Sequence, residues 1–409
     1  MPQRATTLPA LVLLAVAFAG GALDCPSASA AESAAFVRAR DLGVPFDGTP
    51  GPLNAITDVA GVLVGHTTLI EGNGKLVVGK GPIRTGVTAV LPRGMASLQQ
   101  FAFAGWSTEN GNGEMTGITW VEESGFLEGP VMITNTHSVG VVRDAVIAWR
   151  VAHGPADATD SWWSLPVVAE TWDGWLNDIN GFHLKREHVF HALDTAHSGP
   201  VEEGSVGGGT GMICFGFKGG IGTASRKLAD QYGGYTVGVL VQCNYSGNSR
   251  QNLRIAGIAV GREIPGKEPY TGLVSDFAEV GSIIVVVATD APLLPHQLKR
   301  IARRVTLGLG RCGGISANDS GDIFIAFSTA NPMASQVDRV VDVKMVPNDM
   351  MDPLFTATVE ATEEAIVNAM VGAKDMTGRD DHLVQALPHD RLRAVLAKYH
   401  RLLPTPTHQ

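Results

Sequence analysis

Two segments that are apolar almost without interruption constrain the fold of this chain more than any other feature. They are SIIVVVATD (282–290) and GDIFIAFST (321–329). A strand with one face in water alternates apolar and polar residues, so an unbroken apolar strand has to be covered on both faces. Helical segments lie between and after these two strands. The pattern therefore predicts a mixed α/β fold in which helices cover a buried sheet.

Other segments fit the same architecture. β-Branched composition between Gly or Pro residues predicts further strands, at 56–69, 86–92, 117–123, 130–136, 164–174 and 235–243. Apolar residues at helical spacing predict helices, at 140–152, 185–199, 291–308 and 352–373. Between them, GSVGGGTGM (204–212) is a glycine-rich turn that lacks the Gly-Lys-Ser/Thr ending of a phosphate loop. We expect its glycines to allow close approach of the backbone.

The composition is that of a globular protein. Of the 409 residues, 44% are hydrophobic and 17% are charged, and the net charge is −9. The negative charge argues against a nucleic-acid or anionic-membrane partner. The chain has no long Pro-, Gly- or Ser-rich linker, so we expect one layered unit.

The N-terminal 30 residues have the plan of a secretory signal peptide. MPQR carries positive charge, residues 8–23 form an apolar core, and Ala28-Ser29-Ala30 supplies small residues for cleavage. A transmembrane anchor, the alternative, needs about 18 or more apolar residues. We expect a periplasmic or secreted mature chain without a membrane partner.

Three cysteines remain once Cys25 has left with this segment: Cys214, Cys243 and Cys312. An odd number allows at most one disulfide and leaves at least one free thiol. Cys214 and Cys243 lie in apolar segments, where we expect them to act as small buried side chains.

Familiar site patterns are weak in this chain. His188, His191 and His197 lie close together in sequence and resemble a zinc ligand set, but they lack carboxylate or thiol partners, so surface histidines are the simpler interpretation. No GxSxG motif of a serine hydrolase occurs. Glu109 and Glu114 can act as an acid/base pair, although acids in such a loop are more often merely solvated.

The segment CNYSGNSRQNLRIAG (243–257) offers a different chemistry. In a tight turn, the hydroxyl of Ser249 can attack its own preceding carbonyl and convert the amide into an ester that water opens. The α-amine of the new N-terminal Ser249, with a pKa near ~7.7, can then serve as a base for its own hydroxyl. On the residues alone, a surface loop remains the simpler interpretation.

Longer motifs favour the self-cleaving turn over the surface loop. The chain resembles the L-aminopeptidase/D-esterase and β-peptidyl aminopeptidase family of self-cleaving N-terminal serine hydrolases. The matching segments occur in the family's order and cover nearly all of the mature chain. They are residues 38–68, GNGEMTG (111–117), TNTHSVGVVRDAVIAW (134–149), residues 206–226, VQCNYSGNSRQNLRIAG (241–257), residues 288–304 and SGDIFIAFSTAN (320–331).

The resemblance implies cleavage between Asn248 and Ser249. An α chain, residues 31–248, and a β chain, residues 249–409, would stay together in a four-layer α/β/β/α sandwich that ornithine acetyltransferase-like proteins share. These αβ units would assemble into a homo-oligomer. The implied reaction releases N-terminal residues (L-α, D or β) from peptides, amides or esters through an acyl-enzyme, without a metal or organic cofactor.

The resemblance also suggests roles for individual residues. Ser249 is the implied nucleophile, and Thr289 and Asp290 align with the hydroxyl and the acid that the family places beside it. Asp290 has an equally good alternative role as a helix cap. Asn135 and the 204–209 turn are candidate donors to the oxyanion. The acid that binds the substrate ammonium stays open among Glu114, Glu123 and Glu128.

Two positions depart from the family pattern: Trp149 stands where relatives tend to have Tyr, and Ser205 where they usually have Asn. Both align with oxyanion or substrate-binding positions of the family, and an indole N–H can donate but cannot accept a proton. These departures leave two alternatives open, an acyltransferase of the related fold and a catalytically idle periplasmic binding protein.

Overall fold

The computed structural model describes residues 37–154, 163–271, 280–336 and 338–404. The predicted signal peptide and the expected start of the α chain at residue 31 lie outside these ranges. No helix among the described residues is both long and apolar enough to span a bilayer.

The described residues form seven helices and fourteen strands. The strands are β1 (Leu63–Glu71), β2 (Ile83–Met95), β3 (Ala102–Gly111), β4 (Phe126–Leu127), β5 (Val131–Asn135), β6 (Val167–Thr171), β7 (Ile213–Cys214), β8 (Phe217–Lys218), β9 (Gly220–Lys227), β10 (Thr236–Asn244), β11 (Ser282–Thr289), β12 (Gly321–Ser328), β13 (Met376–Thr377) and β14 (Leu383–Val384). The helices are α1 (Ile118–Ser124), α2 (Val139–His153), α3 (Arg186–Asp194), α4 (Val260–Glu263), α5 (Pro295–Arg311), α6 (Asp352–Val371) and α7 (His389–Lys398).

Two sheets carry the fold. One has the order β1-β2-β5-β6 and the other the order β4-β3-β12-β11-β10-β9. The pairs β5–β6 and β11–β12 are parallel, and the other neighbours are antiparallel. The two unbroken apolar segments form β11 and β12, the central strands of the larger sheet, as predicted.

The two faces of these central strands pack into different cores. On β11, Ile284 and Val286 point into a core shared with the smaller sheet. Ile283 and Val285 point the other way, into a core built with α5 and α6. Helices α2 and α3 cover the outer face of the smaller sheet. The layers therefore run helix, sheet, sheet, helix, which confirms the predicted α/β/β/α sandwich.

Two predictions of secondary structure were wrong in type or in bounds, because glycine or proline residues at the ends of the segments mattered more than the β-branched or apolar residues within them. Residues 117–123, expected as a strand, form helix α1 instead, bounded by Gly117 and Gly125 with φ of 74° and 77°. Glycines in this left-handed conformation are typical of segment ends. The helix expected at 291–308 begins only at Pro295, with proline in its first turn.

The cysteines differ from the expectation in one respect. Cys214 and Cys243 are buried, but they are joined to each other by a disulfide instead of acting as separate small side chains. Cys312 is buried with a free thiol. One disulfide and one free thiol agree with the count expected from three cysteines.

Candidate active site at the end of strand β10

Ser249 lies in a tight turn that follows β10. Its backbone N–H donates to the carbonyl of Ser246 at 3.0 Å, which closes a four-residue turn around the Asn248–Ser249 bond. Ser246 has φ of 55°, which is uncommon for a residue other than glycine. The Ser249 side chain is half-buried.

Val280, just before β11, holds this turn from one side. Gly247 donates its N–H to the Val280 carbonyl at 2.7 Å, and the Val280 N–H donates to the Asn248 side-chain oxygen at 2.9 Å. At the end of β10, Asn244 donates to the Trp172 carbonyl at 2.9 Å. The residues before the Asn248–Ser249 bond are thus tied to both sheets.

A cavity of about 500 Å³ borders the turn, with Val280 in its wall. It lies where β3 and β6 end and β11 and β12 begin. Its lining residues carry three carboxylates and no basic side chain: Gly111, Asn112, Gly113, Glu114, Thr136, Glu170, Trp172, Val280, Gly281, Ser282 and Asp319. In the continuous chain Ser249 is not itself among them. Such a cavity suits a ligand that carries a positive charge.

Glu170, near the end of β6, is the buried acid of this cavity. One of its oxygens accepts from the backbone N–H of Glu114 at 2.9 Å, and the other accepts from the hydroxyl of Thr136 at 2.5 Å. Burial raises the pKa of Glu170 above its ordinary value, although these hydrogen bonds oppose the rise. The carboxylate is held in one orientation at the cavity wall.

Of the three acids that the sequence offered for binding the substrate ammonium, only one lines the cavity. Glu114 lines the cavity. Glu123 is exposed on α1, and Glu128 accepts a hydrogen bond from the indole of Trp120 at 2.6 Å. Sequence reasoning missed Glu170, whose one signal was its place near the end of the segment predicted as a strand at 164–174.

Thr289 and Asp290 do not lie beside Ser249, so this part of the prediction is wrong. In the antiparallel pairing of β10 and β11, Thr289 faces Val237 at the start of β10, whereas the turn follows its end. Seven residues of strand correspond to about 23 Å. Thr289 donates to the carbonyl of Thr236, and Asp290 accepts from the N–H of the same residue. Both side chains therefore support the opposite end of the sheet, and Asp290 caps no helix.

Trp149 also lies away from the cavity, contrary to the expectation. It is ten residues into α2, about 15 Å along the helix axis from Val139. Its ring is fully buried in the core under α2 and α3, and its N–H donates to Asp194 at 2.7 Å. The departure from Tyr at this position thus affects the packing of two helices.

Asn135 is the last residue of β5 and precedes Thr136 of the cavity wall, but its side chain is buried. Its amide donates to the hydroxyl of Thr85 at 2.7 Å, and its side-chain oxygen is buried without a partner among the described residues. Ser205 lines a different cavity of about 480 Å³, together with Arg84 and Lys374. Neither residue lines the cavity that borders the Ser249 turn.

The glycine-rich turn has its amides already engaged. Gly207 donates to Thr68 at 2.8 Å, Gly208 donates to Thr88 at 3.1 Å, and Gly209 donates to the carbonyl of Val206 at 2.9 Å. These three N–H groups are therefore not free to bind an oxyanion in this arrangement. This differs from the expectation from sequence that the turn donates to the oxyanion. The turn instead packs the two sheets together.

Two buried ionisable residues behind the turn were also missed. Lys218 is fully buried and donates to the carbonyls of Gly209 and Gly219. Burial lowers its pKa to about 7, and burial raises the pKa of the nearby Asp173 to about 6. Both stand among glycines or apolar residues in the sequence, so no local pattern marks them.

Two of the histidines whose spacing resembles a zinc set form other contacts, and surface histidines were the interpretation favoured from the sequence. The His191 ring bonds to the hydroxyl of Thr67, and the His188 ring accepts from the backbone N–H of Lys185. Within the described ranges, no group of three or more His, Cys, Asp or Glu residues is placed to hold a metal ion.

Comparison with known proteins agrees with this architecture. The model of peptidase family S58 matches residues 54–384. A β-peptidyl aminopeptidase BapA from Sphingosinicella microcystinivorans is 57% identical over 385 residues, which cover 91% of this chain and 95% of that protein. BapA from Sphingosinicella xenopeptidilytica is 49% identical, with coverage of 90% and 93%.

Solved structures resemble the chain over the same extent. The L-aminopeptidase D-Ala-esterase/amidase of Ochrobactrum anthropi, described as a variant of the Ntn hydrolase fold, superposes with a TM-score of 0.82 at 50% identity. The match covers 89% of this chain and 99% of that one. A β-aminopeptidase from Burkholderia sp. gives a TM-score of 0.80 at 49% identity, with coverage of 88% and 99%. The chain therefore belongs to peptidase family S58 and is an aminopeptidase with the Ntn-hydrolase fold.

Proposed function

We propose that this aminopeptidase is made as an exported precursor, cuts itself between Asn248 and Ser249, and then uses Ser249 as an N-terminal nucleophile. The observation that carries the proposal is the closed turn around that bond, which Val280 holds through two hydrogen bonds at the edge of an acidic cavity. The bond to be cut and the space for a cationic substrate are thus neighbours.

Self-cleavage needs only the turn and water. The Ser249 hydroxyl oxygen attacks the Asn248 carbonyl carbon, the C–N bond breaks, and the hydroxyl proton passes to the departing amine. Water then hydrolyses the resulting ester, which leaves a carboxylate on Asn248 and a free amine on Ser249. The same hydroxyl, with that amine as its base, can afterwards attack a substrate carbonyl.

Catalysis follows from this arrangement. Attack on the substrate carbonyl forms an acyl-enzyme, the leaving amine takes the proton, and water releases the N-terminal residue. We propose that Glu170 and Glu114 bind the substrate's free ammonium, because both line the cavity and Glu170 is fixed by two donors. Since relatives are described as β-peptidyl aminopeptidases and as an L-aminopeptidase D-Ala-esterase/amidase, we propose N-terminal L-α, D or β residues as substrates.

The sheet itself supports a lasting association of the two chains. Strands β9 and β10 precede the cut and β11 and β12 follow it, yet all four lie in one sheet. Dissociation would break the β10–β11 pairing and the β3–β12 pairing. We further propose that these αβ units form a homo-oligomer, as the family resemblance implies.

Two features support the proposed export: the signal-peptide pattern of residues 1–30 and the disulfide. A buried disulfide is typical of proteins that mature in an oxidising compartment. N-terminal sequencing of the purified protein from the periplasm or medium tests this part. The expected larger chain begins near residue 31, and a larger chain that retains residues 1–30 contradicts the proposed export.

The decisive experiment follows processing and activity together. The wild type should yield a second chain that begins Ser-Arg-Gln-Asn, whereas Ser249→Ala should stay whole and inactive. Ser249→Cys is the matched variant, because a thiol retains the nucleophile. Hydrolysis by an uncut Ser249→Ala protein would contradict the proposed mechanism.

A further inference from the structure

One loop contacts the chain on both sides of the Asn248–Ser249 bond. We name residues 213–217, which comprise β7, the connecting turn and the first residue of β8, the straddling loop. On the upstream side, the N–H of Ile213 donates to the Asn244 side chain at 2.8 Å, and the N–H of Phe215 donates to the Tyr245 carbonyl at 2.7 Å. These bonds fix the last residue of β10 and the residue after it.

The same loop holds the residue that follows Ser249. The guanidinium of Arg250 donates to the carbonyl of Gly216 at 2.7 Å and lies 4.0 Å from the centre of the Phe217 ring. Arg250 is buried. Because Arg250 is the neighbour of Ser249, its anchorage limits where the Ser249 hydroxyl can move.

A covalent bond ties the straddling loop to the strand before the cut. Cys214 in the loop forms a disulfide with Cys243, the penultimate residue of β10, and both are fully buried. Just beyond the loop, the Lys218 ammonium joins the carbonyls of Gly209 and Gly219. The loop is thereby attached at both ends.

We propose that the Cys214–Cys243 disulfide is a positioning element for the reaction, which holds the straddling loop so that it aligns both sides of the Asn248–Ser249 bond. The inference rests on the proposed role of Ser249. Intramolecular attack needs the reacting atoms about 3–3.5 Å apart, and small misplacements slow such reactions strongly. After the cut, the chain no longer links Asn248 to Ser249, and the straddling loop still contacts Asn244 and Tyr245 on one side of the cut and Arg250 on the other.

The test replaces both cysteines and leaves the rest of the loop intact. The double variant Cys214→Ala/Cys243→Ala should convert precursor to two chains at least about tenfold more slowly, in line with the sensitivity of oriented reactions to position. Once processed, it should have a lower kcat with little change in KM, since the acidic cavity is untouched. Cys312→Ala, which also removes a buried thiol but no covalent link, is the matched control and should behave as wild type.

Rates are compared at temperatures where circular dichroism shows every variant fully folded. If the disulfide were merely structural, its loss would lower the unfolding temperature but would not change kcat at these temperatures. If the double variant does not fold, Arg250→Met tests the other side of the loop and should also lower kcat. The denatured wild-type mature protein should contain one free thiol.

Three outcomes overturn the inference: three free thiols in active enzyme, unchanged processing and kcat in the folded double variant, or unchanged kcat in Arg250→Met when the double variant does not fold. A wild type that yields no chain beginning at Ser249 would instead contradict the proposed function. The two failures are thus distinguishable.

Discussion

The hydroxyl of Thr136 donates a hydrogen bond of 2.5 Å to the carboxylate of Glu170. This contact joins the end of β5 to the end of β6, two parallel strands whose carboxyl ends meet at one edge of the sheet. It also aims a buried negative charge at the cavity beside Ser249. We regard this pair as the core of the proposed ammonium-binding site.

Glu170→Gln should weaken substrate binding with little loss of fold, because glutamine has nearly the same shape. Its amide oxygen can accept from the Glu114 N–H, and its NH2 group can donate to the Thr136 hydroxyl. Loss of a hydrogen bond to a charged group costs about 1.5–3 kcal/mol, so KM should rise roughly 10- to 150-fold. Steady-state kinetics on a substrate with a free amine measure the change. Glu123→Gln, on the exposed face of α1, should have wild-type KM.

The pH dependence of KM gives a second readout at the same residue. Burial raises the pKa of Glu170, so on acidification its carboxylate is lost at a higher pH than that of an exposed glutamate. The wild-type KM should therefore rise as the pH falls through this raised pKa, whereas the glutamine variant should lack the rise. An unchanged KM in Glu170→Gln would show that the ammonium is bound elsewhere.

Trp149→Phe should affect stability and spare catalysis. The substitution removes the indole donor to Asp194 and part of a buried ring between α2 and α3. We expect a loss of about 1–2 kcal/mol in the free energy of unfolding, with kcat/KM within about twofold of wild type because the ring does not reach the cavity. Denaturant unfolding and steady-state kinetics check the two parts. A large fall in kcat/KM without loss of stability would show that Trp149 takes part in catalysis or substrate binding.

Lys218→Met should remove a pH dependence of stability. The pKa of Lys218 is lowered by burial to about 7, whereas the unfolded chain has an ordinary lysine pKa of 10.5. Between these values the unfolded chain binds more protons, so the free energy of unfolding rises with pH, by up to about 1.4 kcal/mol per pH unit. The methionine variant should lack this contribution.

The measurement is best made between pH 7 and 9 in the uncut Ser249→Ala background, where one chain unfolds. Lys227→Met, which removes an exposed lysine of β9, is the control and should follow the parent curve. Parallel pH profiles for Lys218→Met and its parent would show that the buried amine keeps an ordinary pKa.

Sequence alone was sufficient for the layered fold and the family. The apolar strands β11 and β12 have to be covered on both faces, and this requirement depends on composition and not on their partners. The long ordered motifs identified the family, because each spans many residues in a set order. The candidate site residues Ser249 and Glu114 belong to such motifs.

Only the tertiary structure decided which side chains meet. Thr289 ends an apolar strand and Asp290 follows it, as site residues often do, but the antiparallel register with β10 places both at the far end of the sheet. Glu170, Lys218 and the partner of Cys214 were not recognisable, because their environments come from segments distant in the chain. Composition acts over a few neighbouring residues, whereas strand direction, register and long-range contacts depend on how the whole chain packs.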